Sequence, residues 1–337
     1  MRAYVIEKGS ETLDGLVQVE LERPKPKPNQ ILVRMRAASL NYRDQAVVTG
    51  TYFTGPVKRD TVPLSDGAGE IVEVGEKVTQ FAVGDKVCGT FFDNYVQGEP
   101  DPNPPAALGA PHDGVLAEYR VFRERGLVHA PSHLSFEQAA TLPCAGVTAW
   151  RTLMEHGDLK PGKTVLCLGT GGVSIFALQF AKIAGARVII TSSSDAKLER
   201  ARQMGADGTV NYRTHPEWHE EVLRLTGGRG ADFIVEVGGA GTLPRSYQSL
   251  AYDGHIILIG FVAGPNGDTN PFQIMRKAGH IHGVFVGPKI SFQRMNAAID
   301  VNKTVPVVDK VFAFGQAREA YEYQLAGRHF GKIVIAI

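Results

Sequence analysis

The stretch Gly169-Thr170-Gly171-Gly172-Val173-Ser174 has the residue types and spacing to seat a pyrophosphate. Glycines let the chain bend tightly, and the free N–H groups at the start of a following helix attract an anion. Val165-Leu166-Cys167-Leu168 precedes the turn as an apolar strand, and Ile175-Phe176-Ala177-Leu178-Gln179-Phe180-Ala181-Lys182 follows it as a helix. A bare glycine pattern carries little weight, since an ordinary strand-to-helix loop can show it. The strand before, the helix after and a second strand at the right interval make it specific for a dinucleotide. Gly169, Gly171, Gly172 and Val173 are the expected phosphate contacts. Ser174 replaces the usual third glycine and is small enough to let helix and strand approach.

The next strand end chooses between NAD and NADP. A carboxylate about 20 positions beyond the turn would bond the adenosine ribose and repel an added phosphate. Here stands Ile190-Thr191-Ser192-Ser193-Ser194, with no acid before Asp195. Ser192 and Ser193 as donors, with Lys197 one short turn on, suit a 2′-phosphate, so NADP(H) is expected over NAD(H). Asp195 is expected to cap the following helix instead. A solvated helix charge is the plainer reading of Lys197.

The elements that must position these residues follow from length and pattern. A chain of 337 residues exceeds what one core usually holds, so two domains are expected. The first 125 or so residues are β-rich, with short runs such as Gln30-Ile31-Leu32-Val33-Arg34-Met35 between glycines and prolines. Pro100, Pro102, Pro104, Pro105 and Pro111 mark 99–111 as a surface loop. After Ser132 come helical patterns at 136–140 and 150–155. Strands at 164–168, 187–191, 232–237 and 255–259 then alternate with helices at 173–184 and 195–204. Continuous apolar strands separated by amphipathic helices predict an α/β, doubly wound parallel sheet covered on both faces. Helices near 291–301 and 316–326 and a strand at 332–337 close the chain.

Composition removes several classes of partner. With 36 basic and 35 acidic residues, well mixed, the chain has no basic stripe for nucleic acid or an anionic membrane. The opening residues Met1 to Glu7 lack the long apolar region of a secretory signal, so none is expected, and no apolar run approaches membrane length. Three scattered cysteines are too few for a disulfide framework, so a reduced, cytoplasmic setting is expected. The ten histidines show no metal-ligand spacing. His280-Ile281-His282 would put two rings on one face of a strand; an opportunistic metal site is one reading, and plain surface or core placement is the expected one.

Further motifs run nearly end to end: Asn41-Tyr42-Arg43-Asp44, the segment 67–75 with its three glycines, Gly84-Asp85-Lys86-Val87, Ala145-Gly146-Val147-Thr148-Ala149-Trp150 and Gly331-Lys332-Ile333-Val334-Ile335. With the turn at Gly169 they resemble the medium-chain dehydrogenase/reductase superfamily, above all its zinc-independent quinone oxidoreductase-like branch. The resemblance implies a GroES-like catalytic domain from 1–126 and 288–337, a Rossmann NAD(P)-binding domain over 127–287, and an active site in the cleft between them. Zinc-dependent relatives bind their catalytic metal through a Cys, a His and a further Cys or acid. The matching positions here are Asn41, Ser65 and Cys144. One thiolate cannot hold zinc, which needs about three protein ligands, and the 99–111 segment lacks the four cysteines of a structural zinc lobe. No zinc and no metal-ligating residue are expected. Cys144 reads as a small buried hydrophobe.

Without a Lewis acid, an oxygen gaining charge during hydride transfer needs hydrogen-bond donors. In the related reductases a tyrosine lies eleven positions after the matching asparagine, which points to Tyr52 as that donor, protonated at its ordinary pKa of about 10. A rim aromatic is the plainer alternative. By the same resemblance Asn41 bonds a substrate oxygen or the cofactor amide, Asp44 lines the pocket or braces its loop, and Tyr42 is a pocket wall or a core residue. Thr148 lies near the nicotinamide and Tyr212 at the adenosine phosphate end. Val237, Gly260 and Phe261 sit at strand ends where ligands collect, Val284 and Phe285 border the nicotinamide, and Lys332 reaches a cofactor phosphate. Packing or surface charge is the alternative for each. The segment 91–111, with Phe91, Phe92 and Tyr95, is expected to shape the pocket mouth. The implied reaction is NADPH-dependent reduction of a quinone, an enone or enal, or a carbonyl. Reversible alcohol oxidation and a non-catalytic NADPH-binding structural or redox-sensing protein are the alternatives. A homodimer through edge pairing near 284–287 is implied as well.

Overall fold

Short β-branched runs between glycines and prolines become strands in the first part of the chain: β1 (Arg2–Ile6), β2 (Leu16–Glu20), β3 (Gln30–Ser39), β4 (Asp66–Val74), β5 (Lys86–Gly89), β6 (Tyr119–Arg123) and β7 (Leu127–His129). The alternating part supplies β8 (Thr164–Cys167), β9 (Arg187–Ser192), β10 (Gly208–Asn211), β11 (Ala231–Glu236), β12 (Leu250–Leu258) and β13 (His280–Gly283). The chain ends with β14 (Val308–Ala313) and β15 (Lys332–Ala336). The structure is a computed structural model that describes residues 1–100, 105–264, 266–267 and 270–337. It divides into two units: Met1–Val147 with Gly287–Ile337, and Thr148–Val286.

The first unit holds a sheet in the order β14-β15-β3-β4-β5-β7, with β6 also on β3 and a β1-β2 pair beside it. Apart from the parallel β14–β15 pair its ladders are antiparallel. Ile31, Val33, Ile71, Val87, Phe122, Tyr321, Ile333 and Ile335 form its core. The register matters for the site. Val334 faces Ser39 across β15–β3, and Ser39 faces Asp66 across β3–β4. Carried two residues on, the first register sets Lys332 opposite Asn41. Three distant parts of the sequence therefore meet at one end of three neighbouring strands.

The second unit is the expected α/β sheet, parallel throughout, in the order β10-β9-β8-β11-β12-β13. Every residue of β8 and β11 is buried, as their apolar runs require. The chain leaves β8 to one side and returns to β11 on the other. Their C-terminal ends thus form a switch point, where such sheets bind ligands. Among the described residues no helix is long and apolar enough to cross a membrane.

Several expectations need correction. The segment 127–147, assigned from the sequence to the dinucleotide domain, belongs to the first unit, because β7 pairs with β5 and helix Phe136–Ala139 packs on β3 and β4. The helical pattern at 150–155 is a π-helix, Arg151–His156; a second π turn, Leu142–Gly146, and the short helix Val147–Trp150 precede it. The 99–111 loop does not stay on the surface: Ala107, Leu108 and Ala110 are buried. Pro102 and Pro104 lie outside the described residues.

Candidate active site

In the second unit β8 ends at Cys167, and helix Gly172–Ile183 starts with Gly171 as its N-cap. Gly169 has φ +72°, a left-handed conformation that glycine adopts without strain. A Cβ on Gly169 or Gly171 would meet nothing within 4 Å. The space over the turn is open to a ligand, and helix geometry leaves the N–H groups of Gly172, Val173 and Ser174 without intrahelical acceptors. These residues fit a pyrophosphate. The Ser174 hydroxyl donates to the Leu168 carbonyl at 2.6 Å, so the serine ties helix to strand. Gly169 N–H donates to Thr191 Oγ1 at 3.1 Å. Thr191 escaped the sequence reading because a threonine inside a strand looks like an ordinary strand former.

Ser192, Ser193, Lys197 and Tyr212 gather around the ends of β9 and β10. Ser192 is buried, its hydroxyl accepts from Ser194 N–H at 3.3 Å, and its carbonyl accepts from Tyr212 N–H at 3.1 Å. Ser193 and Lys197 are half-buried. The cap of helix Asp195–Gln203 is Ser194, whose hydroxyl accepts from Lys197 N–H, and not Asp195 as expected. Asp195 instead accepts from the Asn211 amide at 2.7 Å.

Glu236, at the end of β11, is fully buried and was not foreseen. Its carboxylate accepts from Gly238 N–H at 2.8 Å, Gly239 N–H at 3.1 Å, Thr242 Oγ1 at 2.6 Å and the Ser246 hydroxyl. It fixes the loop after β11. Val262 and Ala263 N–H donate to the Val237 and Gly238 carbonyls, so the Gly260-Phe261 turn clasps that loop. Val284 N–H donates to Leu258 O and its side chain is buried, whereas Phe285 is about half exposed. Thr148 is buried.

The first unit carries a cluster of buried polar side chains. Lys332 Nζ donates to Asn41 Oδ1 and to Leu40 O, both at 2.5 Å. Asn41 Nδ2 lies 3.4 Å from Ser65 Oγ, Ser65 Oγ donates to Asp66 Oδ1 at 2.6 Å, and Cys144 N–H donates to Asp66 Oδ2 at 2.9 Å. Asn41 N–H donates to Asp44 Oδ2 at 2.7 Å, so Asp44 braces the start of helix Tyr42–Val48. Arg43 reaches the buried loop, donating to Leu108 O at 2.9 Å and Ala110 O at 3.0 Å, and its guanidinium lies 5.1 Å from the ring centres of both Tyr52 and Phe91. Tyr52 is 6% exposed, with the Arg43 guanidinium against its ring; it is no rim aromatic. Tyr42, by contrast, is about half exposed and not a core residue.

Two regions of the chain match families of known proteins. Residues 27–132 match the alcohol dehydrogenase GroES-like domain and 172–301 match zinc-binding dehydrogenase. The chain is 49% identical to a zinc-type alcohol dehydrogenase-like protein of Schizosaccharomyces pombe, over 99% of each. It is 35% identical to a quinone oxidoreductase of Pseudomonas aeruginosa, over 77% of this chain and 73% of that one. A solved NAD-dependent alcohol dehydrogenase superposes over the whole of both chains with a TM-score of 0.91 at 34% identity. The chain belongs to the medium-chain dehydrogenase/reductase superfamily. As such it is an oxidoreductase of the pyridine-nucleotide-dependent class, with a GroES-like first unit and a Rossmann-like second one.

In zinc-dependent members the superfamily's metal seat falls where this chain has Asn41, Ser65 and Cys144. The donor set does not fit a zinc ion. A lysine ammonium points into it and both Asp66 oxygens already accept hydrogen bonds, which leaves one thiol, the half-buried Cys144, where zinc needs about three protein ligands. Burial raises the Asp66 carboxyl, against the pull of Lys332. Asp44 is pushed up to about 6, burial outweighing its neighbour Arg43. Tyr52 is raised by burial despite Arg43 and stays a proton carrier at neutral pH. The expectation that Lys332 reaches a cofactor phosphate is corrected. The side chain is 3% exposed and its ammonium is committed to Leu40 and Asn41 within the first unit. Ser65, Asp66 and Arg43 were not foreseen as site residues, because nothing local in sequence pairs them.

Proposed function

We propose that the chain is a zinc-independent, NADPH-dependent reductase of quinones, enones or enals, or simple carbonyls, acting as a cytoplasmic homodimer. The observation that carries this reading is the Arg43–Tyr52 pair beside the Asn41 cluster. The Arg43 guanidinium lies 5.1 Å from the Tyr52 ring centre, and as a group with donors only it takes no proton from the phenol, which is left to be given away. The bound reduced nicotinamide supplies the hydride. Asn41 Nδ2–H and Tyr52 O–H then meet the charge that develops on the acceptor oxygen. Tyr52 passes its proton to that oxygen and recovers one from solvent. For an enone the same donors hold an enolate, which suits a hydrogen-bonding pocket.

The preference for NADPH is supported by Ser192, Ser193 and Lys197 at the β9 end, with Asp195 drawn to Asn211. The homodimer reading is supported by β13, an edge strand whose Ile281 is exposed; light scattering at micromolar concentration tests it. The activity is tested by following NADPH and NADH oxidation against a panel of quinones, enones and aldehydes, before and after dialysis against a chelator. Turnover with NADPH that survives dialysis is the expected result. Stoichiometric zinc, with activity lost to the chelator, would make it an alcohol dehydrogenase. Binding without turnover across the panel would make it a non-catalytic sensor.

A further inference from the structure

We propose that Lys332 is a positioning residue: it fixes and polarises the Asn41 amide, so that an amide N–H takes the part a metal ion plays elsewhere. The inference rests on the reductase reading given above. An asparagine amide has two ends of similar size, and only its neighbours decide which way it faces. An ammonium has donors and no acceptor. At 2.5 Å it admits only Oδ1, and so turns the NH2 toward Ser65 and Asp66. The Ser65 hydroxyl proton already goes to Asp66, which leaves Ser65 Oγ to accept from Asn41 at 3.4 Å, near the outer limit of a hydrogen bond. An oxygen gaining negative charge is a stronger acceptor and displaces it.

The contact from Lys332 is charge-assisted. It draws electron density from the amide and makes Nδ2–H a better donor, as chains of hydrogen bonds polarise one another. Burial lowers the Lys332 pKa from the ordinary lysine value, and the Asp66 carboxylate, with Asp44 nearby, opposes that pull. Its other donation, to Leu40 O, anchors the ammonium to the end of the strand that presents Asn41. Register explains the pairing: β15 and β3 run antiparallel and bring residue 332 opposite residue 41.

The test is a double-mutant cycle on the full chain. Lys332→Met is expected to lower kcat about 30-fold at saturating NADPH, less than the roughly 10²–10³-fold that follows outright loss of an oxyanion donor. The NADPH Kd, read by fluorescence, should stay within about 2-fold. In an Asn41→Ala background the same change should cost less than about 3-fold, because Lys332 acts through Asn41. Costs that multiply, or an NADPH Kd raised tenfold or more, overturn the proposal and return Lys332 to a structural or phosphate-binding part. If Lys332→Met does not fold, Lys332→Arg and Lys332→Gln carry the comparison. Arg should restore most of kcat and Gln should not; equal rescue refutes a role for the charge. A readout independent of turnover is the side-chain amide of Asn41 in protein labelled with 15N-asparagine, assigned by its loss in Asn41→Ala. The two amide protons should move when Lys332 becomes Gln. An unmoved signal overturns the proposal even if turnover is normal, whereas a moved signal in a protein that reduces none of the acceptors sinks the reductase reading alone.

Discussion

In the second unit the turn at 169–174 offers main-chain N–H groups and empty space, whereas in the first unit the cluster around Asn41 is built from side chains that bond to one another. Glycine marks the difference. A Cβ on Gly171 would meet nothing, but one on Gly69, in β4, would lie 2.3 Å from the Arg34 carbonyl of the paired strand. One glycine keeps room for a ligand and the other keeps two strands together. The same residue type therefore serves function in one unit and folding in the other.

The largest effect expected follows from that contrast. Gly171→Val should weaken NADPH binding on the order of 10³-fold, since two or three charge-assisted N–H contacts, roughly 4 kcal/mol, are lost. Its Tm should change by no more than a few degrees. Gly69→Ala should do the reverse, lowering Tm sharply while leaving the Kd of whatever folds unchanged. Fluorescence titration and thermal melts on both variants decide it; equal losses of stability would erase the distinction. Next in size is Tyr52→Phe, which keeps the buried ring against Arg43 and removes the proton. We expect kcat to fall about 10²-fold with the NADPH Kd unchanged. A variant as fast as wild type would show that Tyr52 is packing only.

The two regions also differ in how far the sequence discloses them. The cradle is local: Gly169, Gly171 and the flanking apolar runs lie within twenty residues, and period and punctuation place them. The cluster is not. Ser65, Asp66 and Lys332 come together because β15, β3 and β4 share a register, and register over 290 residues of separation has no local signature. Arg43 stands inside a legible motif, yet its partners, the Leu108 and Ala110 carbonyls, lie in a proline-rich stretch that reads as solvent-exposed. The boundary at 147 has no local signature for the same reason: β7 is three residues long and is recognisable only by its pairing with β5. Glu236 looked like any strand-end acid, because its four donors follow it in a loop whose conformation the carboxylate itself sets.

Acid sharpens the comparison further, beginning with Asp44. Its folded pKa of about 6 lies above the ordinary 3.8, so the folded state binds the extra proton and this group's contribution to stability falls as pH rises from about 4 to 6. The shift corresponds to something on the order of 3 kcal/mol. Asp44→Asn should remove that slope, read as ΔG of unfolding in urea at pH 4, 5, 6 and 7. A slope unchanged in the variant would mean that Arg43 holds the carboxylate ionised throughout.

The smallest effect has the opposite sign and belongs to the second unit. His280 and His282 do share one face of β13, as expected, and they stack with His255 of β12; His255 Nδ1 lies 3.0 Å from His282 Nε2 and His280 contacts Asp253. The rings bond to one another and to a carboxylate, and among the described residues no three His, Cys, Asp or Glu side chains are placed to hold a metal ion. Burial first, and then the neighbouring histidines, lower the pKa of His255 and of His282 below 6.5. The unfolded chain then takes up protons before the folded one, so stability present above pH 6.5 is lost as pH falls through that value. His282→Gln should blunt this loss by a modest amount. Hydrogen exchange followed between pH 5 and 7 should show amides of β12 and β13 losing protection in acid while those around helix Tyr42–Val48 gain it. Parallel responses in the two regions would mean that the charge balance around Asp44, and not its burial, governs the first unit.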